Sequence, residues 1–269
     1  MDLALSDHVA VVTGGASGIG LAVAAGFLAE GTQVAIWDIA DTVDTAADEL
    51  AAGGGPTVIG VQVDVTDDAS IAAAIGRTVE ALGPIDHLVH CAAIGSGHFG
   101  YPFTNLKPDD WSRTLDVNIM GMVRIAHAVS AVMVERSSGT MVFLASVAGQ
   151  FGSQTDPPYS AAKAANINFA QCVAKDLAGH GIRVNTICPG MIETPLNRGV
   201  WQAWNDRQPE EQKQDYHEWA AGKISNVVPL GRWQQPEDVA DMAVFLSSKR
   251  SHNVTGQTIN VDGGFIMHS

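Results

Sequence analysis

Seven short runs rich in β-branched residues recur along this 269-residue chain: His8–Thr13, Gln33–Trp37, Thr57–Val63, His87–Cys91, Thr140–Ala145, Arg183–Ile187 and Thr258–Val261. Alanine-rich stretches of helical length separate them, at 18–30, 41–52, 67–82, 109–136, 158–179 and 237–247. Several open on start signals such as Asp67-Asp68, Pro108-Asp109-Asp110 and Pro236-Glu237-Asp238. Strand alternating with helix constrains the fold more than any other feature. Successive parallel strands need a crossover, a helix is the usual one, and the helices then cover both faces. The expected class is therefore α/β, a doubly wound parallel sheet of about seven strands. No repeat, linker or low-complexity tract divides the chain, so 1–269 reads as a single domain.

Charge narrows the partners. Twenty-nine acids against 15 bases give a net charge of −14 and a pI near 4.8, which disfavours nucleic acid and anionic membrane surfaces. Charged residues are only 16% while hydrophobic ones are 46%, a balance that points to an oligomer hiding part of its surface. Cys91, Cys172 and Cys188 are too scattered for a disulfide framework. No basic segment followed by an apolar one opens the chain, and no uninterrupted apolar run approaches about 18 residues. A cytoplasmic, soluble protein is expected. The nine histidines include no HExxH spacing and the cysteines no CxxC pair, so no metal site is expected. His87 and His90, an odd number apart on one strand, should face opposite sides.

The first run leads into Thr13-Gly14-Gly15-Ala16-Ser17-Gly18-Ile19-Gly20, and a helical pattern, Leu21–Glu30, follows at once. Gly14, Gly18 and Gly20 permit a tight strand-to-helix turn, and the missing Cβ atoms let a pyrophosphate rest against the backbone at the helix N-terminus. A glycine cluster alone is weak. Here the required context is present: a strand before, a helix after, and Asp38 at the end of the second strand, 18 residues past Gly20. An acid there accepts hydrogen bonds from the adenosine ribose and repels a 2′-phosphate, which favours NAD over NADP. The competing reading is a glycine turn without a ligand, with Asp38 capping the next turn.

Tyr159-Ser160-Ala161-Ala162-Lys163 is the second signal. Helical positions four apart share a face, so the Tyr159 hydroxyl and the Lys163 ammonium can enter one cleft. A phenol with a pKa of about 10 is a poor base at neutral pH, and a fixed cation beside it would lower that value. Ser146 ends the fifth strand 13 residues before Tyr159, on the sheet edge where such folds bind ligands. Without Ser146, the pair reads equally as a solvated lysine beside a half-buried tyrosine.

These residues resemble the short-chain dehydrogenases/reductases, and the resemblance covers almost the whole chain. It runs from TGxxxGxG at Thr13–Gly20 through Asp64-Val65, Asn118, Ser146, Tyr159 and Lys163. It continues to Pro189-Gly190 with Thr194 and to Val261-Asp262-Gly263-Gly264. The resemblance implies a Rossmann-like fold and hydride transfer between a nicotinamide and a secondary alcohol or its ketone. In it Tyr159 is the general acid/base, Ser146 binds the reacting oxygen, Lys163 binds the nicotinamide ribose and lowers the tyrosine pKa, and Asn118 holds a water in the proton relay. The implied cofactor site comprises Gly14, Ser17, Gly18, Ile19, Gly20, Asp38, Asp64, Val65, Ala92, Tyr159, Lys163, Pro189, Gly190, Ile192 and Thr194. Asp64 meets the adenine amine, Val65 lies beside the adenine, and Ile192 and Thr194 meet the carboxamide. A homotetramer is also implied, built on the two long helices after the fourth and fifth strands, whose Ala161, Ala162, Ala164, Ala165 and Ala170 permit close approach.

One motif departs from the family pattern: Asn-Asn-Ala-Gly after the fourth strand reads His90-Cys91-Ala92-Ala93 here. His90 either replaces an asparagine hydrogen bond or is a satisfied, partly buried histidine, and Cys91 reads as a small core hydrophobe. Asn197–Lys223 breaks the strand–helix rhythm with five acids, four bases and three of the six tryptophans. Trp201 with Trp204, and Tyr216 with Trp219, are spaced for one helical face. The region 195–230 is expected to be either a substrate lid or a surface flap and subunit contact. Its aromatics, with Gln150, Gln154 and Asn197, suit a polyol or sugar. Aryl or cyclic alcohols, a 3-oxoacyl-type reductase and a catalytically silent NAD sensor are the competing readings.

Overall fold

The computed structural model describes residues 2–100 and 102–267; Met1, Tyr101, His268 and Ser269, included in the single domain expected over 1–269, lie outside them. Seven strands form one parallel sheet: β1 (Val9–Thr13), β2 (Gln33–Asp38), β3 (Val58–Gln62), β4 (His87–His90), β5 (Gly139–Leu144), β6 (Ile182–Pro189) and β7 (Thr258–Val261). Their order is β3-β2-β1-β4-β5-β6-β7, the doubly wound sheet expected from the alternation. Every expected strand is present, with β6 reaching two residues further than its β-branched run, to Pro189.

Residues adjacent on a strand feed opposite cores, as a period of two requires. Val11, Trp37, Leu88, Met141 and Phe143 pack under α3 (Asp68–Leu82), α5 (Gly121–Arg136) and α6 (Pro157–Leu177). Val12, Ile36, Val89 and Val142 pack under α1 (Gly18–Ala29) and α9 (Pro236–Ser247). α2 (Val43–Ala51) covers the β2–β3 side. The expected helix at 109–136 is α4 (Asp109–Leu115) and α5 joined by a π-helical turn, Asp116–Met120. This stretch is long and apolar enough to cross a bilayer. It is placed instead by Met122, Ile125, Val129 and Met133, which enter the sheet core.

The segment after β6 folds as α7 (Pro195–Asn205) and α8 (Tyr216–Val227). The aromatic stripe turns inward: Tyr216, Trp219, Ala220, Ile224 and Val228 form a third, small core with Trp201, Trp204 and Trp233 packed on it. β1 and β4 are neighbours whose crossovers run to opposite sides, and the carboxyl ends of the strands open there into a cleft.

Candidate active site

A cleft of about 1130 Å³ runs along the carboxyl edge of the sheet. Every residue of the expected site lines it except Asn118. The glycine turn forms one end. Gly18 sits at φ +55°, and Gly20 approaches its own turn so closely that a Cβ there would lie 2.0 Å from the Gly14 carbonyl oxygen. Ser17, at the cap of α1, makes no side-chain hydrogen bond to the first turn. The N–H groups at the start of α1 are thus presented to the cleft over a surface without side chains, a cradle that fits a pyrophosphate.

Asp38 closes this end. Its carboxylate accepts from Ala16 N–H at 3.0 Å and from Ala40 N–H at 3.1 Å, so it ties the glycine turn to the β2–α2 turn while lining the cleft. The following residues, Ile39, Ala40 and Asp41, supply no cation. Asp64 accepts from the Thr66 hydroxyl at 2.7 Å and the Thr66 N–H at 2.8 Å, and these hydrogen bonds hold its carboxyl below the usual carboxylate range. Pro189 ends β6, and Gly190 N–H donates to Val261 at 3.0 Å. Thr194 caps α7, its hydroxyl accepting from Asn197 N–H at 3.2 Å.

In the middle of the cleft Ser146, just past β5, accepts from Ala148 N–H at 3.1 Å and lies near enough to Tyr159 to favour its ionised form. Asp156 caps α6 and so aims Tyr159. Lys163, one turn on, is buried and donates to the Leu144 carbonyl at 2.7 Å. Burial pulls its pKa down to about 8.

The electrostatics differ from expectation at one point. Burial pushes the Tyr159 phenol up, and Ser146, not Lys163, is what opposes it. The ammonium stands 5.5 Å from the centre of the tyrosine ring and turns one N–H to a carbonyl.

Asn118 also differs. It lies in the π-helical turn, buried, with its carboxamide accepting from Ile94 N–H and donating to Ile94 C=O, both at 2.8 Å. Its side chain is therefore spent on fixing the loop after β4, and Ile94 is the residue that lines the cleft.

His90 is buried, pairs through Nδ1 with the Thr13 hydroxyl at 2.8 Å, and leaves Nε2 without a partner among the described residues. The same Thr13 oxygen accepts from Ala92 N–H at 3.3 Å. Burial lowers the His90 pKa to about 3, so the ring is neutral and belongs to the junction of β1 and β4. His87 faces the other way, stacked on Phe27, whereas His90 meets Phe143 edge-on. Cys91 is half-buried and lines the cleft rather than entering the core; burial raises its thiol to about 12, in keeping with an unreactive group. Among the described residues no three His, Cys, Asp or Glu side chains cluster as metal ligands.

The far wall comes from residues that carried no motif. Asn197, Val200, Trp219 and Lys223 of α7 and α8 line it, facing Phe99 and Phe151. Arg207, in the α7–α8 connection, donates to the Phe99 carbonyl at 2.6 Å and joins this wall to the loop after β4. Gln150, expected beside a substrate, is paired with Asn260 at 2.7 and 3.1 Å and does not line the cleft. The expected alanine face of α6 is split: Ala162 and Ala170 enter the protein, while Ala161 and Ala164 face outward.

A family model described as enoyl-(acyl carrier protein) reductase matches residues 14–266. Galactitol 2-dehydrogenase of Agrobacterium fabrum is 38% identical over 97% of this chain and 98% of its own. 2-(S)-hydroxypropyl-CoM dehydrogenase 3 of Xanthobacter autotrophicus is 36% identical over 97% of each chain. The structure of L-sorbose reductase from Gluconobacter frateurii, complexed with NADPH and L-sorbose, superposes with a TM-score of 0.91 at 29% identity over the full length of both chains. With the parallel sheet, the glycine cradle and the Ser146–Tyr159–Lys163 cluster in place, the chain belongs to the short-chain dehydrogenase/reductase family, oxidoreductases that act on alcohol and ketone groups with a nicotinamide cofactor.

Proposed function

We propose that this protein is an NAD-dependent dehydrogenase that oxidises a secondary alcohol of the polyol or sugar type. The observation carrying the reading is Asp38, a fixed carboxylate at the adenosine end of the cleft with no base in the turn beside it. A 2′-phosphate would meet negative charge there, whereas ribose hydroxyls would meet an acceptor. The relatives named for galactitol and L-sorbose support the substrate class.

In this reading the α1 N-terminus and the glycine turn hold the pyrophosphate, and Asp38 holds the adenosine ribose. Asp64 and Val65 flank the adenine, while Ala92, Pro189, Gly190, Ile192 and Thr194 enclose the nicotinamide half. The cofactor, when bound, accepts the hydride. Ser146 holds the carbinol oxygen and Tyr159 Oη takes its proton. With one N–H on Leu144, Lys163 keeps two for ribose hydroxyls. Asn118 acts as a positioning residue through Ile94. Three unpaired thiols support a reducing, cytoplasmic setting, and the outward Ala161 and Ala164 on α6 suit a helix-to-helix contact in a homotetramer.

Initial rates of NAD and NADP reduction over polyols, aldoses, aryl carbinols and cyclic alcohols test the reading. It expects turnover with NAD and a polyol or sugar. Preference for NADP, or turnover confined to aryl substrates, would overturn it.

A further inference from the structure

The lid segment carries four bases, and three of them are matched. Arg198 pairs with Glu193 at 2.6 Å, Arg207 donates to Phe99 C=O, and Lys213 pairs with Glu210 at 2.7 Å. Lys223 has no ion pair and no hydrogen-bond acceptor among the described residues, yet it lines the cleft. Its position is fixed by the helix: four residues after Trp219, it places Nζ 4.2 Å from the centre of the indole ring. Burial draws its pKa below the ordinary lysine range.

Asn197, which lines the same cleft, is also a donor. The Asn197 Oδ1 accepts from the Tyr216 hydroxyl at 2.9 Å, which orients the amide and leaves its NH₂ for the cleft. The carboxylate lining the substrate half, Asp156, caps α6 and accepts from Ser96 N–H at 2.9 Å and Tyr159 N–H at 3.4 Å, so it stands on the Tyr159 side of the cleft and not on α7 or α8. A neutral polyol offers donors and acceptors in equal measure. The α7–α8 wall offers an amide donor and one positive charge without an ion pair among the described residues.

We propose that Lys223 anchors a carboxylate on the substrate, with Asn197 as its second donor, so that the secondary alcohol oxidised in this cleft is a hydroxy acid. The inference rests on the dehydrogenase reading and narrows it from polyols to their acid counterparts. Lys223 is exposed at the rim of the cleft; held over an indole without being neutralised, it is placed to meet an anion arriving with the substrate.

The test uses the NADH-loaded enzyme and two matched pairs of probes: gluconate against glucitol, and 3-hydroxybutyrate against its methyl ester. Tryptophan fluorescence of that complex reads binding, since Lys223 lies on Trp219, and separate assays with NAD in place of NADH read turnover. The acids should bind about tenfold more tightly than their neutral partners. That preference should vanish in Lys223→Met, survive in Lys213→Met, which removes the same charge elsewhere on the lid, and return in part in Lys223→Arg. Equal binding of acid and neutral probe, or an unchanged preference in Lys223→Met, would overturn the anchor. If neutral alcohols are still oxidised with NAD, the dehydrogenase reading survives that result. Competition by inorganic phosphate but not by acetate would overturn the carboxylate. Acid-selective binding lost in Lys223→Met, with no turnover of any alcohol, would keep the anchor and overturn the dehydrogenase reading.

Discussion

The two walls of the cleft are built on different principles. The cofactor wall is backbone: strand ends, a glycine turn and the start of a helix, anchored in a sheet whose residues are buried on both faces. The substrate wall is side chain: two helices around a small aromatic core, tied back by Arg207 on Phe99. Of the six buried polar atoms without a partner among the described residues, two are the indole nitrogens of Trp219 and Trp233, in the aromatic core of this second wall. An unmet buried donor costs about 1–3 kcal/mol, and the small aromatic core bears two of them on few residues. The difference teaches that one wall is made to be rigid toward a common cofactor, and the other has latitude to meet a particular substrate or to move.

Substitutions can test that contrast, and the largest effect belongs to the rigid wall. Gly20→Ala should cost about 3 kcal/mol of stability, because its Cβ would overlap the Gly14 carbonyl. Gly76→Ala, in the middle of α3 with open space around it, should instead gain about 0.5–1 kcal/mol. Thermal unfolding of the two variants side by side would show whether the turn is as tight as its geometry requires.

Ser146→Ala should lower kcat by about a hundredfold and change its pH dependence. Oxidation needs Tyr159 as the phenolate, and burial holds the phenol high, so the wild-type rate should climb as pH rises through the alkaline range. Ser146 opposes that rise, so its loss should move that climb to still higher pH. A pH profile of kcat for both proteins decides it.

Asp38→Ala combined with Ile39→Arg should shift the ratio of kcat/KM for NADP over NAD upward by at least about tenfold; coenzyme kinetics measure it directly. Arg207→Ala should have the smallest effect, a roughly two- to fivefold rise in substrate KM with little change in kcat or in thermal stability. A large loss of stability there would contradict the view of the lid as a separate, loosely tied unit.

The same contrast explains what could be read from the residues. Strand runs and the glycine turn depend on neighbours in sequence, so β1, Thr13–Gly20 and Asp38 were legible before any coordinates. Ser146, Tyr159 and Lys163 were legible because a strand end and an i,i+4 spacing bring them together. The inward turn of Trp219, the pairing of Gln150 with Asn260 and the split of the α6 alanine face depend on contacts across the chain, which periodicity does not encode. Asn118 shows the boundary between the two kinds of information. Its place in the helix was legible, but its attachment to Ile94, 24 residues away, was not. Lys223 stood among the lid's charges without distinction until its three companions were seen to be paired.

The central claim is that Tyr159 moves the proton while the backbone wall holds the cofactor independently of it. The most direct test is Tyr159→Phe, measured by initial rates of NAD reduction and by fluorescence titration with NADH on the same preparation. The account expects kcat to fall by about a thousandfold or more with NADH affinity changed less than about twofold. Retained turnover, or loss of NADH binding together with turnover, would contradict it.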